Sequence, residues 1–213
     1  AGMGGAFVRS LFITVFSVAI LVLLCSMTAW YIIRDTSRIS GIIYKLFLFS
    51  MIVPFQMVMY TMTYVASVLH LNNPVGIIAI YLGFGSGLSV FMLAGFVKSI
   101  PRELEEAAEI DGCTPLQTFF QIVFPILKPT AVTVSILNAM WIWNDYLLPY
   151  LILGNRYKTL PVAIQISMQG AYGSVNWGGF MAMLVLAILP IIIFYLFSQK
   201  YIIEGVIAGA VKG

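Results

Sequence analysis

The chain has 213 residues, of which 61% are hydrophobic and 9% charged, with a mean hydropathy of +1.01 and a formal net charge of +3. Soluble domains are about 45–50% apolar and about 25% charged, so this composition predicts a protein whose usual solvent is lipid. Lys and Arg form no cluster interleaved with aromatic residues, which excludes the basic surface of a nucleic-acid-binding protein.

Cysteine and histidine are too sparse to indicate a metal site or a catalytic centre. Cys25 lies in an apolar run and Cys113 in a polar segment, and no CxxC or zinc-ligand spacing is present. His70 is the only histidine, which excludes most histidine-based metal sites and leaves a Ser/His triad without support. The sequence therefore predicts a protein that is not an enzyme and that binds no metal or cofactor itself.

Long apolar stretches predict the fold class, because a helix needs about 20 mostly apolar residues to cross the hydrocarbon core. Five stretches qualify, and they cover residues 6–33, 46–69, 76–97, 123–153 and 179–203. The prediction is an all-α, polytopic transmembrane helix bundle of about five spans, with residues 1–213 forming a single transmembrane domain. Pro54 and Pro190 fall within spans and predict kinks, and Gly83, Gly85 and Gly87 predict close helix approach.

The distribution of basic residues predicts the orientation, since Lys and Arg are enriched in short cytoplasmic loops. Eight basic residues follow the first, third and fifth spans or flank the loops there: Arg34, Arg38, Lys45, Lys98, Arg102, Lys128, Lys200 and Lys212. Three lie on the other side: Arg9, Arg156 and Lys158. We therefore expect the N-terminus outside and the C-terminus inside. Because no cleavable signal precedes an outside N-terminus, we also expect an earlier helix before this sequence.

The most informative segment is the loop at 98–122, which we expect at the cytoplasmic surface. It contains five of the eight acidic residues of the chain: Glu103, Glu105, Glu106, Glu109 and Asp111. So much charge in so apolar a protein predicts side chains in water. Ser99 and Pro101 suit a helix start, and Gly112 suits a helix stop. Thr114, Pro115 and Gln117 then predict a second start of the capping-box type, so the loop is predicted to be a helix-turn-helix.

Two interpretations of this loop are open on chemistry alone. Ala107 and Ala108 present little side chain beside the Glu106 carboxylate, so a partner protein could approach closely while a basic residue pairs with Glu106. The alternative is an interfacial amphipathic helix with a solvated acidic face.

A resemblance to a known family favours docking. The letters EEAAEIDG followed by IVFP resemble the EAA signature of bacterial binding-protein-dependent ATP-binding-cassette importers, with Glu106, Ala107, Ala108, Gly112 and Pro125 at the signature positions. The segments WIWNDYLLP, TLPVAI and EGVIAGAVKG resemble the carbohydrate branch, which includes the maltose permease. Cys113 stands where the family usually has alanine, and the family normally begins with one further helix and an outer segment.

The resemblance implies a permease subunit that translocates a sugar or oligosaccharide across the bacterial cytoplasmic membrane, as a multi-pass protein. In the family two permeases pair, two ATPase subunits bind their cytoplasmic faces and an extracellular binding protein delivers the sugar. ATP and Mg are bound by the partner ATPase, and the second permease is usually a different chain. The residues expected to couple to the ATPase are Glu103, Glu106, Ala107, Ala108, Asp111, Gly112 and Pro125. The tail ending in Lys212 is a further candidate contact.

Polar residues within the predicted spans are candidates for the translocation pathway. Asp145 leads, because an acid within a membrane helix is costly unless it has a function. The whole candidate set is Gln56, Tyr60, Asn138, Trp141, Asn144 and Asp145. An ordinary aromatic belt at the membrane interface is the alternative for this stretch, which also contains Trp143.

Two rival functions remain on the sequence. An ion-coupled secondary transporter would also be a kinked bundle, but it should carry ionisable residues deep within its spans, and apart from Asp145 these spans have essentially none. A non-transport membrane assembly protein would explain the hydrophobicity but not the acidic loop.

Overall fold

The computed structural model describes residues 2–169 and 177–210, and this part of the chain is helical with no strand. The helices, in chain order, are α1 (Met3–Arg34), α2 (Arg38–Ser50), α3 (Phe55–Val68), α4 (Gly76–Val97), α5 (Glu103–Ile110), α6 (Pro115–Thr118), α7 (Phe124–Asn144), α8 (Leu147–Leu153), α9 (Leu160–Gln169) and α10 (Trp177–Ala210). A π-helical segment, Phe119–Val123, joins α6 to α7.

The membrane spans agree with the predicted fold class. Among the described residues four helical stretches are long and apolar enough to cross a membrane: α1, α4, the continuous stretch Pro115–Asn144, and α10. The bent pair of α2 and α3 raises the number to five. The predicted all-α bundle of about five spans is therefore confirmed, and the third predicted span coincides with α4.

The second predicted span, 46–69, is wrong as a single helix. α2 ends at Ser50, α3 begins at Phe55, and the two axes differ by 107°. Pro54 has φ −70° and ψ 140° and precedes the first residue of α3. Because proline disfavours helical geometry at the residue before it and cannot donate a backbone hydrogen bond, it produces a break here rather than the expected kink.

The fourth predicted span, 123–153, is wrong at both ends. The helical stretch begins at Pro115 and ends at Asn144, and α8 starts after a break at Asp145 and Tyr146. Pro149 accounts for the break, since in a continuous helix its ring would clash with the carbonyl of Asp145.

The described residues cluster into two compact units. The first draws on Ala1–Val18, Pro54–Tyr81 and Leu137–Gln199, and the second on Ala19–Val53, Leu82–Ile136 and the last part of α10. The prediction of one permease domain stays a prediction.

In the first unit, the start of α1 is joined to the segment before α9. Ser10 Oγ accepts a hydrogen bond from the Leu160 backbone N–H at 2.8 Å, and Arg9 Nε donates to the Lys158 carbonyl at 2.9 Å. Ile13, Tyr81 and Leu160 are fully buried there. These contacts fix the N-terminal turns of α1 within this unit.

In the second unit, Gly87 lets α4 approach the end of α2. A Cβ at Gly87 would lie 2.5 Å from Ser50 Oγ and 2.9 Å from the Phe47 carbonyl oxygen, so no larger residue fits without movement. Gly83 has open space around it, and the expectation of close approach is wrong at that position. Leu93, Val97 and Phe119 form part of the buried core of this unit.

Candidate functional site

α5 begins later than the sequence indicated. Ser99 Oγ donates to the Phe96 carbonyl at 2.8 Å, so its hydroxyl serves the end of α4 and does not cap α5. The Arg102 carbonyl accepts the first hydrogen bonds, from Glu105 N–H at 2.9 Å and Glu106 N–H at 3.0 Å. Glu103, Glu105 and Glu106 occupy the first turn, where negative charge interacts favourably with the helix dipole.

The turn after α5 has the geometry that the sequence predicted. Gly112 has φ +82°, a left-handed conformation that costs glycine little. Its N–H donates to the Glu109 carbonyl at 3.0 Å, and Cys113 N–H donates to the Ala108 carbonyl at 2.9 Å. This pair of bonds is a Schellman motif, so Gly112 is confirmed as the helix stop.

The start of α6 is also confirmed. Thr114 Oγ1 accepts from Gln117 N–H at 3.4 Å, the Gln117 side-chain oxygen accepts from Thr114 N–H at 2.7 Å, and Pro115 occupies the first turn. Residues 103–118 thus form a tight helix-turn-helix with closed ends. The π segment follows α6 and ends two residues before Pro125, whose ring would clash with the Gln121 carbonyl in a regular α-helix.

One face of α5 is open to solvent. Glu103, Glu106, Ala107 and Ile110 are exposed and follow the i, i+3, i+4, i+7 spacing of a single helix face, which we call the coupling face. Ile110 is 86% exposed. Asp111 and Gly112 continue this exposed surface at the end of the helix.

The predicted coupling residues do not all lie on this face. Ala108 is only 4% exposed and points away from it. Pro125 is exposed but lies in the second residue of α7. The predicted set therefore divides in two. Ala108 packs inside and Pro125 lies on α7, whereas the others are exposed on or next to the coupling face: Glu103, Glu106, Ala107, Asp111 and Gly112.

Glu105 contradicts the expectation that the acidic residues of this loop all lie in water. It is 9% exposed, and its Oε1 accepts from Arg34 Nε at 2.9 Å and from Arg34 Nη2 at 2.6 Å. Its Oε2 accepts from Trp30 Nε1 at 2.9 Å. The last turn of α1 therefore compensates the charge of Glu105, which is why this carboxylate can be withdrawn from water.

Aromatic packing lies beside this ion pair. The Trp30 ring is 5.6 Å from the ring of Phe119, which has no exposed surface, and Phe119 is 5.0 Å from Phe120. α5 packs against α6 and the π segment, with Ala108 buried. The side of α5 opposite the coupling face is therefore packed against α6 and the π segment.

The candidate pathway residues lie in the first unit and have different surroundings. Asp145 Oδ1 accepts from the N–H groups of Leu147 at 3.0 Å and Leu148 at 3.4 Å, and its Oδ2 accepts from the Tyr81 hydroxyl at 3.0 Å. Tyr81 also packs edge-on against Trp141, with ring centroids 5.5 Å apart. The carboxylate of Asp145 therefore caps the first turn of α8.

The remaining pathway candidates are mostly open to their surroundings. Gln56 and Tyr60 are exposed on α3, and Tyr64 continues the same face at 71% exposure. Asn144 is exposed with its amide donating to the Met140 carbonyl at 2.7 Å, and Asn138 is buried. α3 packs against α8 in this unit.

The described residues contain no group of three or more His, Cys, Asp or Glu side chains that could hold a metal ion. The predicted contact at Lys212 lies outside the described residues.

Comparison with known proteins gives the family. Residues 4–207 match the family described as the binding-protein-dependent transport system inner membrane component. The chain belongs to this family. Family membership does not favour the ion-coupled carrier or the assembly protein, and it agrees with a multi-pass membrane protein.

Individual relatives of this inner membrane component are transport permeases. The chain is 42% identical over 207 residues to a probable starch degradation products transport system permease protein of Thermoanaerobacterium thermosulfurigenes, covering 97% of this chain and 75% of the relative. It is 41% identical over 216 residues to a multiple sugar-binding transport system permease protein of Streptococcus mutans, covering 99% and 77%.

A solved structure has the same fold. It is a bacterial ABC transporter involved in the import of the acidic polysaccharide alginate, with a TM-score of 0.78 at 23% identity, covering 93% of this chain and 75% of that one.

Sequence reasoning missed five residues of the site. Ile110 could have been found from its helical spacing to Glu106 and Ala107. Trp30 and Arg34 are each more than 70 residues from Glu105 in the sequence, and only the fold brings them into contact with it. Tyr81 as the partner of Asp145 is equally non-local.

Proposed function

We propose that this chain is one permease subunit of an ATP-driven importer that moves a sugar or oligosaccharide across the bacterial cytoplasmic membrane by alternating access. Its partners are two ATPase subunits that bind ATP and Mg, a second permease of different sequence, and an extracellular sugar-binding protein. Support for a sugar comes from the permeases for starch degradation products and for multiple sugars that resemble this chain along nearly its whole length.

The coupling face of α5 is the observation that carries the proposal. It combines two carboxylates, a small gap at Ala107 and a protruding Ile110 on one side of a short helix. A cleft with a basic rim and an apolar floor on an ATPase subunit would match this chemistry. Docking of an aliphatic side chain into a pocket with a charged pair at its rim is a common way to anchor a helix in a groove.

Membrane adsorption fits the same face less well. The cytoplasmic leaflet carries anionic lipid, which attracts basic segments and repels acidic ones. Helices that lie in the interface are rich in Lys and Arg on their polar face, whereas α5 contains three glutamates in its first turn and no basic residue in its last. The electrostatics therefore favour a protein partner over lipid.

The docked helix would act as a lever. When ATP brings the two ATPase subunits together, each subunit carries its bound α5 with it, and the spans change from inward-open to outward-open. Hydrolysis reverses the movement. ATP drives the change through its higher affinity for the closed ATPase pair, because a ligand can shift an equilibrium only by its differential affinity for the two states.

The translocation pathway is proposed to use the exposed polar and aromatic residues of the first unit. Gln56 and Tyr60 on α3, together with Trp141 and Asn144 near the end of α7, offer aromatic faces and amide groups of the kind that hold sugars. Asn138 and Asp145 belong to the predicted set but are buried or engaged in capping, so we assign them the shape of the pathway rather than direct contact.

The test is to purify the tagged full-length permease from cells that express the whole transporter, and to reconstitute it in liposomes. We expect an ATPase to co-purify, and its ATP turnover to rise when sugar-loaded binding protein is added. Glu106→Lys should reduce both co-purification and uptake, because it reverses the charge on the coupling face. Glu109→Lys is the matched control, since Glu109 is exposed on the same helix but lies off that face.

Substitutions at Gly112 distinguish two possible reasons for a glycine there: the left-handed backbone of the turn, or the space that a partner needs. Asn tolerates the left-handed region better than Val does, while both add a side chain of similar size. If only the turn matters, Gly112→Asn keeps uptake and Gly112→Val loses it; if the partner needs the space, both lose it. A wild-type protein that purifies without an ATPase and shows uptake driven by an ion gradient would overturn the proposal.

A further inference from the structure

We propose that Trp30, Arg34 and Glu105, here called the anchor, form the link that transmits movement of α5 to α1 during transport. The inference rests on the proposed function, and it adds positioning residues that lie on the side of α5 away from the coupling face.

The anchor holds both oxygens of one carboxylate. Arg34 donates to Glu105 Oε1 from Nε at 2.9 Å and from Nη2 at 2.6 Å, and Trp30 donates to Oε2 at 2.9 Å. Trp30 and Arg34 are four residues apart on α1, so they lie one turn from each other on one side of the helix. Three directional bonds to one carboxylate fix the direction of α5 as well as its distance from α1.

The anchor also holds the segment that leads into α5. Arg34 Nη2 donates to the carbonyl oxygen of Ile100 at 2.9 Å, and Ile100 is buried. The guanidinium is therefore bound both to α5 and to the chain just before it. A load on α5 cannot be absorbed by a swing of this connection without breaking a bond to Arg34.

Shielding from water makes this ion pair different from an ordinary surface pair. The side chains of Arg34 and Glu105 are 17% and 12% exposed, and theirs is the only salt bridge among the side chains that the structure describes. Exposed pairs are weakened by solvent and salt and contribute little, whereas a shielded pair with a forked donor keeps its geometry.

The two faces of α5 give the anchor its direction. Glu105 and Ala108 lie three residues apart on the buried side, and Glu103, Glu106, Ala107 and Ile110 lie on the open side. With eight residues, α5 is too short to hold its position by itself, so it moves with whatever binds each face. A partner that grips the open face pulls on α1 through Glu105.

α1 suits the receiving end of this link. It is one uninterrupted helix of 32 residues. The load enters at its last turn, where Trp30 and Arg34 lie, and a continuous helix passes it along its length. The apolar contacts of Ala108 and Phe119 alone would permit sliding, because they have no preferred direction.

The experiment compares Glu105→Gln with wild type in the complete transporter reconstituted in liposomes. Glu109→Gln is the matched control, with the same chemical change on an exposed residue of the same helix. Three quantities are measured: the ATPase bound per permease, ATP turnover with loaded binding protein, and sugar imported per ATP hydrolysed. We expect Glu105→Gln to bind the ATPase normally and to import at least about fivefold less sugar per ATP, at the low end for coupling between sites. Glu109→Gln should match wild type in all three.

Two conservative variants keep the test decisive if Glu105→Gln assembles poorly. Trp30→Phe retains the ring beside Phe119 and removes one N–H donor, and Arg34→Lys retains the charge and removes the fork. Both should lower sugar per ATP while the amount of complex stays normal, and combining each with Glu105→Gln should add little further loss.

Two results would overturn the inference. One is unchanged sugar per ATP in Glu105→Gln, and the other is a loss fully explained by less assembled complex, which would make the anchor a stabilising contact only. A wild-type transporter that neither hydrolyses ATP nor imports sugar would instead overturn the proposed function, and the inference with it.

Discussion

The two compact units each draw one carboxylate away from water, and they satisfy it in different ways. In the second unit Glu105 is buried against a cation, Arg34, with Trp30 on its other oxygen. In the first unit Asp145 is half-buried and accepts from a phenol and two backbone N–H groups. Glu105 joins α5 to α1 through a cation, whereas Asp145 caps the helix that follows it and accepts one neutral hydrogen bond from α4.

The two arrangements fit the different roles proposed for the two regions. An ion pair with a forked donor holds two elements in a fixed direction, which suits a region that receives force. A carboxylate on the first N–H groups of a short helix stabilises a local bend, which suits a region that shapes a pathway. The loop around α5 therefore exposes most of its acids and buries one, whereas the acid at the α7–α8 break caps α8 with one oxygen and accepts from Tyr81 of α4 with the other.

The largest expected effect comes from removing one half of the ion pair. Arg34→Met leaves Glu105 without its cation, and breaking a shielded pair in this way costs about 3–5 kcal/mol. The double variant Arg34→Met/Glu105→Met leaves no unpaired charge and should be clearly more stable than Arg34→Met alone. Thermal unfolding of the purified complexes in detergent measures the difference.

The double variant also separates stability from transport. If the anchor transmits movement, this variant regains thermal stability but still imports little sugar per ATP. If the double variant loses as much stability as Arg34→Met and Glu105→Met lose together, this account of the ion pair is contradicted.

A smaller effect is expected at Asp145. Asp145→Ala removes the acceptor of the two α8 N–H groups and of Tyr81, whose side chain is fully buried, and should cost about 1–3 kcal/mol. Asp145→Asn retains one acceptor oxygen and should keep most of the stability. Thermal unfolding and sugar uptake are measured on both variants.

The Asn variant decides between capping and sugar contact. With capping as the role of Asp145, uptake by Asp145→Asn follows its stability and stays close to wild type. Lost uptake at unchanged stability would show that the charge itself serves the pathway, and would break the contrast with Glu105.

The sequence was sufficient for features set by local chemistry. Span α4, the stop at Gly112 and the capping box at Thr114 follow from apolar length, from glycine in the left-handed region and from the spacing of Thr114 and Gln117. Each depends on residues within one or two turns, so a pattern in the sequence can identify it.

Features set by long-range packing could not be predicted in this way. Nothing near Glu105 distinguishes it from Glu106, since the Arg34 that withdraws it from water is 71 residues away. The break before Pro54 was underestimated and the break at Asp145 was missed, because an apolar stretch of sufficient length looks like one span whether or not a proline interrupts it. Prolines indicated bending, but its size, such as the 107° between α2 and α3, depends on how the flanking helices pack.

A partly exposed acid provides the smallest effect and completes the comparison with Glu105 and Asp145. Asp35, between α1 and α2, accepts hydrogen bonds from Ser37 and from Ser40, and these bonds hold the pKa of its carboxyl below the ordinary value.

A carboxyl whose pKa is lower in the folded state stabilises the fold above its unfolded pKa of about 3.9, and this contribution disappears as the pH falls through the folded pKa. Ser37→Ala should bring the pKa back toward the ordinary value and should therefore lower the stability near neutral pH, in addition to the loss of the α2 cap. The part of this loss that comes from Asp35 should shrink as the pH falls through the folded pKa. Thermal unfolding from about pH 6 to about pH 3 measures this, and an identical pH dependence in wild type and Ser37→Ala would contradict it. Because Asp35 is partly open to water and has no cation as its partner, the change should be far smaller than that of Arg34→Met.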